Sequence, residues 1–468
     1  MRKLLHPNDY PVLAKIFNNS SNKIFILRAE GAIDIPDSLG CSICFFKTKI
    51  ALLKAINYEK EGTIINETPL NIEENFSRKY PAMVLLNLKK PPIKSRAQKF
   101  NFFLNPDKTI RWLYSNQLQQ PIFLNLYNTS SWKGKLFQWG CSLCYQLQIQ
   151  WLLNASSVWV EASVLHLDTI SAQLNNAPYA IFTGTTGENR KAIICYEKKG
   201  QTTQFLKIPL TKPAQKLIYN EGRQLQNLQS YDFEYLVHPS SKLIGNCLLV
   251  SNVRPAKSLA VKTLNNNHFL VLIELYSFTA TTQQLSTLPV WTSILNDLSI
   301  IRNNSIQNNI STQQVNHLTN LLETLLERID GSQFISVALA HGDFTPWNIY
   351  MTTKAAHVYD WELAKQLPLL YDCFHYLFQT HILINKKPFQ EIKLAIDHLE
   401  QDEIVQSILE GYSIEFNMAY QFYLLHNTSY YLSRYIRQAH LHEQAHWLIN
   451  TWIKAIESSL EASKSFVQ

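Results

Sequence analysis

A strand-rich small lobe followed by a helical large lobe, preceded by a separate α/β domain, is the α+β architecture that this 468-residue sequence predicts. Three observations carry it. Short β-type runs punctuated by turns occupy residues 172–252, helical periodicity dominates 253–468, and the first 165 residues mix short apolar runs with turn-like segments. A chain of this length is too long for one small core and calls for two or three domains.

The elements follow in order. In the front region the apolar runs are 23–28, 82–88 and 100–104. The segment Asn105-Pro-Asp-Lys108 is turn-like and joins the last of these to 109–114, which predicts a hairpin. The next strand is 179–182, followed by a turn over Thr183-Gly-Thr-Thr-Gly-Glu-Asn-Arg190. A strand through 192–196, a turn at 198–201 and a strand through 205–208 come after it. Leu217, Ile218, Leu225 and Leu228 fall at helix-compatible spacings with Glu221 between them, so a helix follows the third strand. After a strand at 247–250, the segment 251–257 reads as a linker. Helices are expected over 285–301, 313–329 and 389–399, and through an aromatic-rich stretch from 404 onward. The Asn- and Gln-rich 302–309 reads as exposed loop.

Composition narrows the class. Hydrophobic residues make up 46% and aromatic residues 12%, which excludes a disordered chain. No apolar run approaches the length of a spanning helix, and the first residues lack a signal-peptide core, so a cytoplasmic protein is expected. The 7 cysteines, an odd number in a long chain, predict reduced thiols and no disulfide framework. The net charge of +7 is uneven. Residues 1–150 carry about 20 Lys/Arg against about 10 Asp/Glu, so the front is roughly +10 and the rest roughly −3. Lys89, Lys90, Lys94, Arg96 and Lys99 form a basic cluster around Pro91 and Pro92. It would suit an anionic acceptor or partner, with nucleic acid not the expected one, and its plainer reading is a solvated loop.

The chemistry concentrates in His341-Gly-Asp-Phe-Thr-Pro-Trp-Asn348 and, after a short apolar strand, Asp360-Trp-Glu362. A carboxylate and a carboxamide five positions apart, with a second carboxylate a dozen residues on, is the spacing of a kinase catalytic loop and its metal-binding aspartate. Phosphoryl transfer needs a group to orient the attacking hydroxyl, metal ligands, a cation on the phosphates and a loop over them. Asp343 would accept the hydroxyl proton. Asn348 and Asp360 would hold Mg²⁺, a hard ion suited to carboxylate and amide oxygens. Lys207 on the third strand, with Glu221 fourteen residues later on the following helix, would contact the phosphates of ATP or GTP. Gly184 and Gly187 would allow close backbone approach, although a full G-x-G-x-x-G is absent.

From about residue 175 to 440 the chain resembles the aminoglycoside phosphotransferase and choline kinase superfamily, which shares the protein kinase-like bilobal fold. Its His-Gly-Asp-x-x-x-x-Asn is present as His341, Gly342, Asp343 and Asn348, its Asp-Trp-Glu as Asp360, Trp361 and Glu362, and its Pro-x-x-x-Asp as Pro368 to Asp372. The resemblance implies a small-molecule kinase that phosphorylates a hydroxyl of a sugar, aminoglycoside or amino alcohol. It implies Asp343 as base, Asn348 and Asp360 as metal ligands, and Lys207 with Glu221 on the nucleotide. It places Ser251 to Val253 near the adenine, His341 as a buttress of the loop, and Glu362 near the metals or supporting the loop. The domains so expected are 1–165, a small lobe over 172–252 and a helical lobe over 253–468. An atypical protein kinase is disfavoured, because Asp360 runs within a dozen residues into Tyr371 and Asp372 without room for D-F-G, A-P-E and a long activation segment. A non-catalytic nucleotide-binding scaffold is the other alternative.

Further signals stand apart. Cys41, Cys44, Cys141 and Cys144 form two C-x-x-C units that would supply four thiolates to zinc, although small buried cysteines are the expected reading. Tyr420, Phe422, Tyr423, Tyr430, Tyr431 and Tyr435, with Arg434 and Arg437 nearby, read either as core or as an aromatic acceptor face. His440, His442 and His446 lack a matching ligand pattern for a metal.

Overall fold

The structure is a computed structural model. It is described for residues 5–462 apart from 19–21, 31, 36–38, 60, 69, 73–75, 89, 92–96, 117, 127–131, 154–155, 163–176, 198–202, 256, 259–260, 262, 304, 307, 309 and 439–442. Most of the basic cluster, the 198–201 turn, His440 and His442 therefore lie outside the described residues. The strands are β1 (Lys23–Leu27), β2 (Ser42–Phe46), β3 (Gly62–Asn66), β4 (Met83–Asn87), β5 (Gln98–Leu104), β6 (Ile110–Ser115), β7 (Ser156–Glu161), β8 (Tyr179–Phe182) and β9 (Lys191–Tyr196). They continue with β10 (Gln204–Pro209), β11 (Leu236–Val237), β12 (Ser241–Ile244), β13 (Cys247–Ser251), β14 (Thr281–Gln284), β15 (Phe334–Ala340), β16 (Ile349–Met351), β17 (Ala356–Val358) and β18 (Lys365–Pro368). Two compact units divide the chain: residues 1–222 with 241–252, and residues 223–240 with 253–468.

The first unit is built on one 12-stranded sheet in the order β12-β13-β10-β9-β8-β6-β5-β7-β4-β3-β1-β2. β1 pairs in parallel with β2 and β3, and β3 with β4. Parallel strands are covered on both faces, and every residue of β3 and β4 is buried. Alternation along β1 sends Ile24 and Ile26 to one core and Phe25 and Leu27 to another; β4 does the same with Val84 and Leu86 against Met83 and Leu85. Helices Asp9–Phe17 and Lys49–Ile56 contribute to opposite faces. The β5–β6 hairpin forms as predicted, its turn closed by Asp107, which accepts from Thr109 N (3.0 Å) and Oγ1 (2.6 Å).

The separate N-terminal domain is not found. β6 pairs antiparallel with β8 through Trp112↔Phe182, Leu113↔Ile181 and Tyr114↔Ala180, so the expected boundary near 165–172 falls within one sheet. One core runs through Phe17, Phe100, Leu113, Ile181, Ile194, Leu206 and Leu249, joining apolar residues from both sides of that boundary. The predicted strands of the small lobe appear as β8, β9, β10 and β13, and helix Lys212–Leu228 follows β10.

The paired C-x-x-C units do not converge, which corrects the zinc option. Cys41 and Cys44 sit beside and on β2 at the sheet edge, whereas Cys141 packs in the aromatic cluster of Trp112, Tyr114 and Phe123 over β6. Six strand steps separate β2 from β6, about 29 Å at ordinary strand spacing. All seven cysteines are free thiols.

The second unit is mostly helical, as expected. Its helices include Asn266–Thr279, Pro289–Asn303, Thr312–Arg328, Tyr371–Gln379, Phe389–Glu400, Glu403–Gly411, Phe416–Tyr435 and Glu443–Ala462. Two three-stranded sheets, β11-β17-β16 and β14-β15-β18, carry its loops. Phe416, Tyr420, Phe422 and Tyr423 are buried, so this part of the aromatic stretch is core. Among the described residues no helix is long and apolar enough to cross a membrane.

Candidate active site

In the first unit, β10 lies between β9 and β13, with Lys207 opposite Ile193 and Leu248. Its ammonium donates to both carboxylate oxygens of Glu221, at 2.7 and 2.6 Å, and both side chains are buried. Helix Lys212–Leu228 approaches closely because Gly222 has no side chain: a Cβ there would meet Leu248 at 3.0 Å. In the β8–β9 turn, Gly184 has φ +80° and a Cβ would fall 2.1 Å from the Lys191 carbonyl oxygen, so that position excludes any side chain. Gly187 has φ +146° and open space around it. Ser251 ends β13.

The second unit holds the catalytic-loop candidates. β15 delivers His341 to Asn348, and β16 and β17 return the chain to Asp360. The loop and the return strand are tied together at two points: Tyr359 N donates to Asn348 O (2.9 Å), and His341 Nε2 lies 2.6 Å from Tyr359 O. Within the return segment, the Trp361 indole donates to Val358 O (3.0 Å). Asp343 N donates to His341 Nδ1 (3.2 Å), so the His341 proton sits on Nε2 and is given to Tyr359 O. The His341 ring thus bridges the loop backbone at Asp343 and the return strand at Tyr359. Asp360 takes the left-handed conformation at φ +62°.

Asp343 is held on both carboxylate oxygens. Asn348 Nδ2 donates to Oδ2 (2.9 Å) and to the Asp343 carbonyl oxygen (3.0 Å), while His375 Nε2 lies 3.2 Å from Oδ1. His375 is fully buried, whereas Asp343 keeps 25% of its side chain exposed, enough to meet a substrate. Beneath the loop, Asp372 accepts from His341 N (2.7 Å) and Gly342 N (3.0 Å). Burial raises the Asp372 carboxyl above its ordinary range, and these two amides act against that rise.

Carboxylate oxygens of Asp360 and Glu362 come within 4.8 Å of one another. Carboxylate oxygens are hard donors of the kind that suits Mg²⁺. The arrangement brings together Lys207 with Glu221 in one unit, and His341, Asp343 and Asn348 in the other.

Several residues here carried no sequence signal. His375 lies thirty-two positions after Asp343 on helix Tyr371–Gln379 and reaches it only through the fold. Next to the loop, a small recess is lined by Gly342, Lys365, Tyr371, His426, Tyr430 and Tyr431 among others. Part of the aromatic stretch therefore faces a cavity.

No family model matches the chain and no curated protein matches it. Solved structures do. A choline kinase from Streptococcus pneumoniae is 12% identical over 62% of this chain and 98% of that one, with a TM-score of 0.42. A Plasmodium vivax ethanolamine kinase is 14% identical over 62% and 83%, with a TM-score of 0.40. An aminoglycoside phosphotransferase is 12% identical over 58% and 92%, with a TM-score of 0.39.

Proposed function

We propose that this chain is a small-molecule kinase that transfers the γ-phosphate of ATP or GTP to a hydroxyl of a small acceptor. The observation that carries the reading is the Asp343 carboxylate, partly open and held by Asn348 and His375, on a loop whose backbone is clamped by Asp372. The buried Lys207–Glu221 pair supports it, since it presents an ammonium with a defined position to the nucleotide phosphates.

Asp343 orients the acceptor hydroxyl for in-line attack and receives its proton on a carboxylate oxygen; no covalent enzyme intermediate is needed. An ionised carboxylate has roughly four acceptor sites, so the bonds from Asn348 and His375 leave room for the hydroxyl. Asn348 and Asp360, with Glu362 near Asp360, would hold Mg²⁺, which would supply charge neutralisation on the phosphates. Lys207 steadies the phosphates, and His341 and Asp372 keep Asp343 in place. Seven free cysteines accord with the reducing cytoplasm as its compartment.

A screen of hydroxylated metabolites for nucleotide-dependent phosphorylation tests the proposal. Wild type is expected to turn over at least one class, Asp343→Ala to lose turnover while still binding nucleotide, and Lys207→Met to lose nucleotide affinity. Full turnover of a true acceptor by Asp343→Ala would remove Asp343 as base.

A further inference from the structure

We infer that the recess beside Asp343 takes an anionic group, a carboxylate or a phosphate, of the acceptor, with Lys365 as its counter-charge. The inference deepens the proposed function, and the word "acceptor" rests on that reading. The binding of an anion in the recess does not.

Lys365 opens β18, five residues after Asp360, and its ammonium reaches the recess wall. Among the described residues its one hydrogen-bond partner is His426 Nε2, at 2.8 Å. That partner is neutral, because burial first, and then the nearby cations Lys365 and Arg434, hold the His426 imidazole well below its ordinary pKa. With Nε2 accepting from the ammonium, the His426 proton sits on Nδ1 and is donated to the Tyr371 hydroxyl, 2.9 Å away. The Tyr371 hydroxyl proton is then free to turn toward the recess. The chain of bonds therefore ends in donors: two remaining ammonium N–H groups and a phenol. None of it cancels the positive charge.

The nearby carboxylate does not cancel it either. Asp297 is engaged by Ser433 Oγ (2.7 Å) and by Arg434 (3.4 Å). Arg434 is itself a second cation, 3.5 Å over the Tyr430 ring, with Lys365 5.7 Å from the same ring. Two cations thus stand against one committed carboxylate along this wall. Asp343 also bears on Tyr430 and Tyr431, and Glu362 on Tyr430. In the proposed reaction Asp343 faces the hydroxyl and Glu362 stands beside the metal ligands, so neither is available to Lys365. Burial lowers the Lys365 pKa to about 8, and the ammonium remains the main form at neutral pH.

The enclosed part of the recess is about 20 Å³, room for little more than one water or one oxyanion oxygen, and it opens to solvent, so it takes the charged end of a ligand whose body lies outside it. Such a molecule has its hydroxyl at Asp343 and its oxyanion at Lys365. A quaternary ammonium or polyamine acceptor would instead set its own charge against Lys365. The acceptor class this selects is a hydroxy acid or a phosphorylated polyol.

The test uses the full-length protein without nucleotide. Inorganic phosphate and malonate serve as anionic probes and choline as the cationic control, with binding followed by calorimetry and thermal shift. Saturable binding of at least one anion is expected in wild type and in Lys365→Arg, at least tenfold weaker binding in Lys365→Met, and no effect of choline. The Arg variant keeps the charge and so separates loss of charge from loss of fold. Anion binding that survives unchanged in Lys365→Met, absence of anion binding in wild type, or binding of choline alone would each overturn the inference. Intact, Lys365-dependent anion binding in a protein that phosphorylates no acceptor would count against the kinase reading and leave the anion site standing.

Discussion

Replacing Asp372 by Asn probes the clamp under the catalytic loop. The carboxylate is 2% exposed and accepts the His341 and Gly342 amides at 2.7 and 3.0 Å. An Asn of nearly the same volume has one acceptor oxygen, so one amide then faces an NH₂ donor. The loss is one charge-assisted bond, about 1.5–3 kcal/mol, plus an unsatisfied buried N–H at about 1–3 kcal/mol. Against this stands relief of the burial that raises the Asp372 carboxyl. The net expectation is about 2–4 kcal/mol, concentrated on the loop. Hydrogen exchange resolved by mass spectrometry measures it: the 341–342 amides should exchange roughly 30- to 700-fold faster while the hydrophobic centre of the unit is unchanged. Exchange within threefold of wild type at these two amides in a folded protein would refute the clamp. Uniformly faster exchange across the unit would refute the claim that the effect is local.

Other outcomes follow from neighbouring geometry. Gly342→Ala should reduce turnover by more than about 100-fold, because φ is +80° and the new Cβ would stand 2.6 Å from the Leu363 carbonyl oxygen, displacing Asp343; steady-state kinetics with a screened acceptor checks this. Lys207→Met and Glu221→Leu should each cost about 3–5 kcal/mol in chemical denaturation, since each leaves a buried charge unpaired. The double variant should cost clearly less than their sum, and strict additivity would deny the coupling. His375→Phe removes the donor to Asp343 Oδ1 and is expected to lower kcat about 10- to 100-fold with nucleotide affinity unchanged, as befits a positioning residue. Malonate binding at the recess should be strong below the Lys365 pKa of about 8, where the ammonium is charged, and weaken as pH rises through that value. Lys365→Arg should show no such fall up to pH 10, because the guanidinium does not titrate there.

The readable parts of the chain were those with a local pattern. β8, β9 and β10 are short, mostly apolar runs bounded by turns, and the β5–β6 hairpin announces itself through Asn105 to Lys108. Helix Asn266–Thr279 was not anticipated, because its apolar residues lie all round rather than on one stripe. Its capping box was the available signal: the Asn265 side chain accepts from His268 N, and the His268 ring from Asn265 N. The single sheet through β6 and β8 was hidden for a different reason. Strand pairing between segments more than sixty residues apart leaves no local pattern, and both strands looked complete in their own neighbourhoods.

The candidate site divides the same way. Sequence by itself named Asp343, Asn348, Asp360, Lys207 and Glu221, because phosphoryl transfer needs those group types at restricted spacings along strand, helix and loop. Tertiary structure decided what surrounds them. It set His375 against Asp343, seated Asp372 under two loop amides, kept the C-x-x-C pairs apart, and left Lys365 with a neutral partner beside a recess. These are distances between residues remote in sequence and the burial that follows from them. Both are properties of the packed chain, and they set the charge and hydrogen-bonding state that the order of residues does not encode locally.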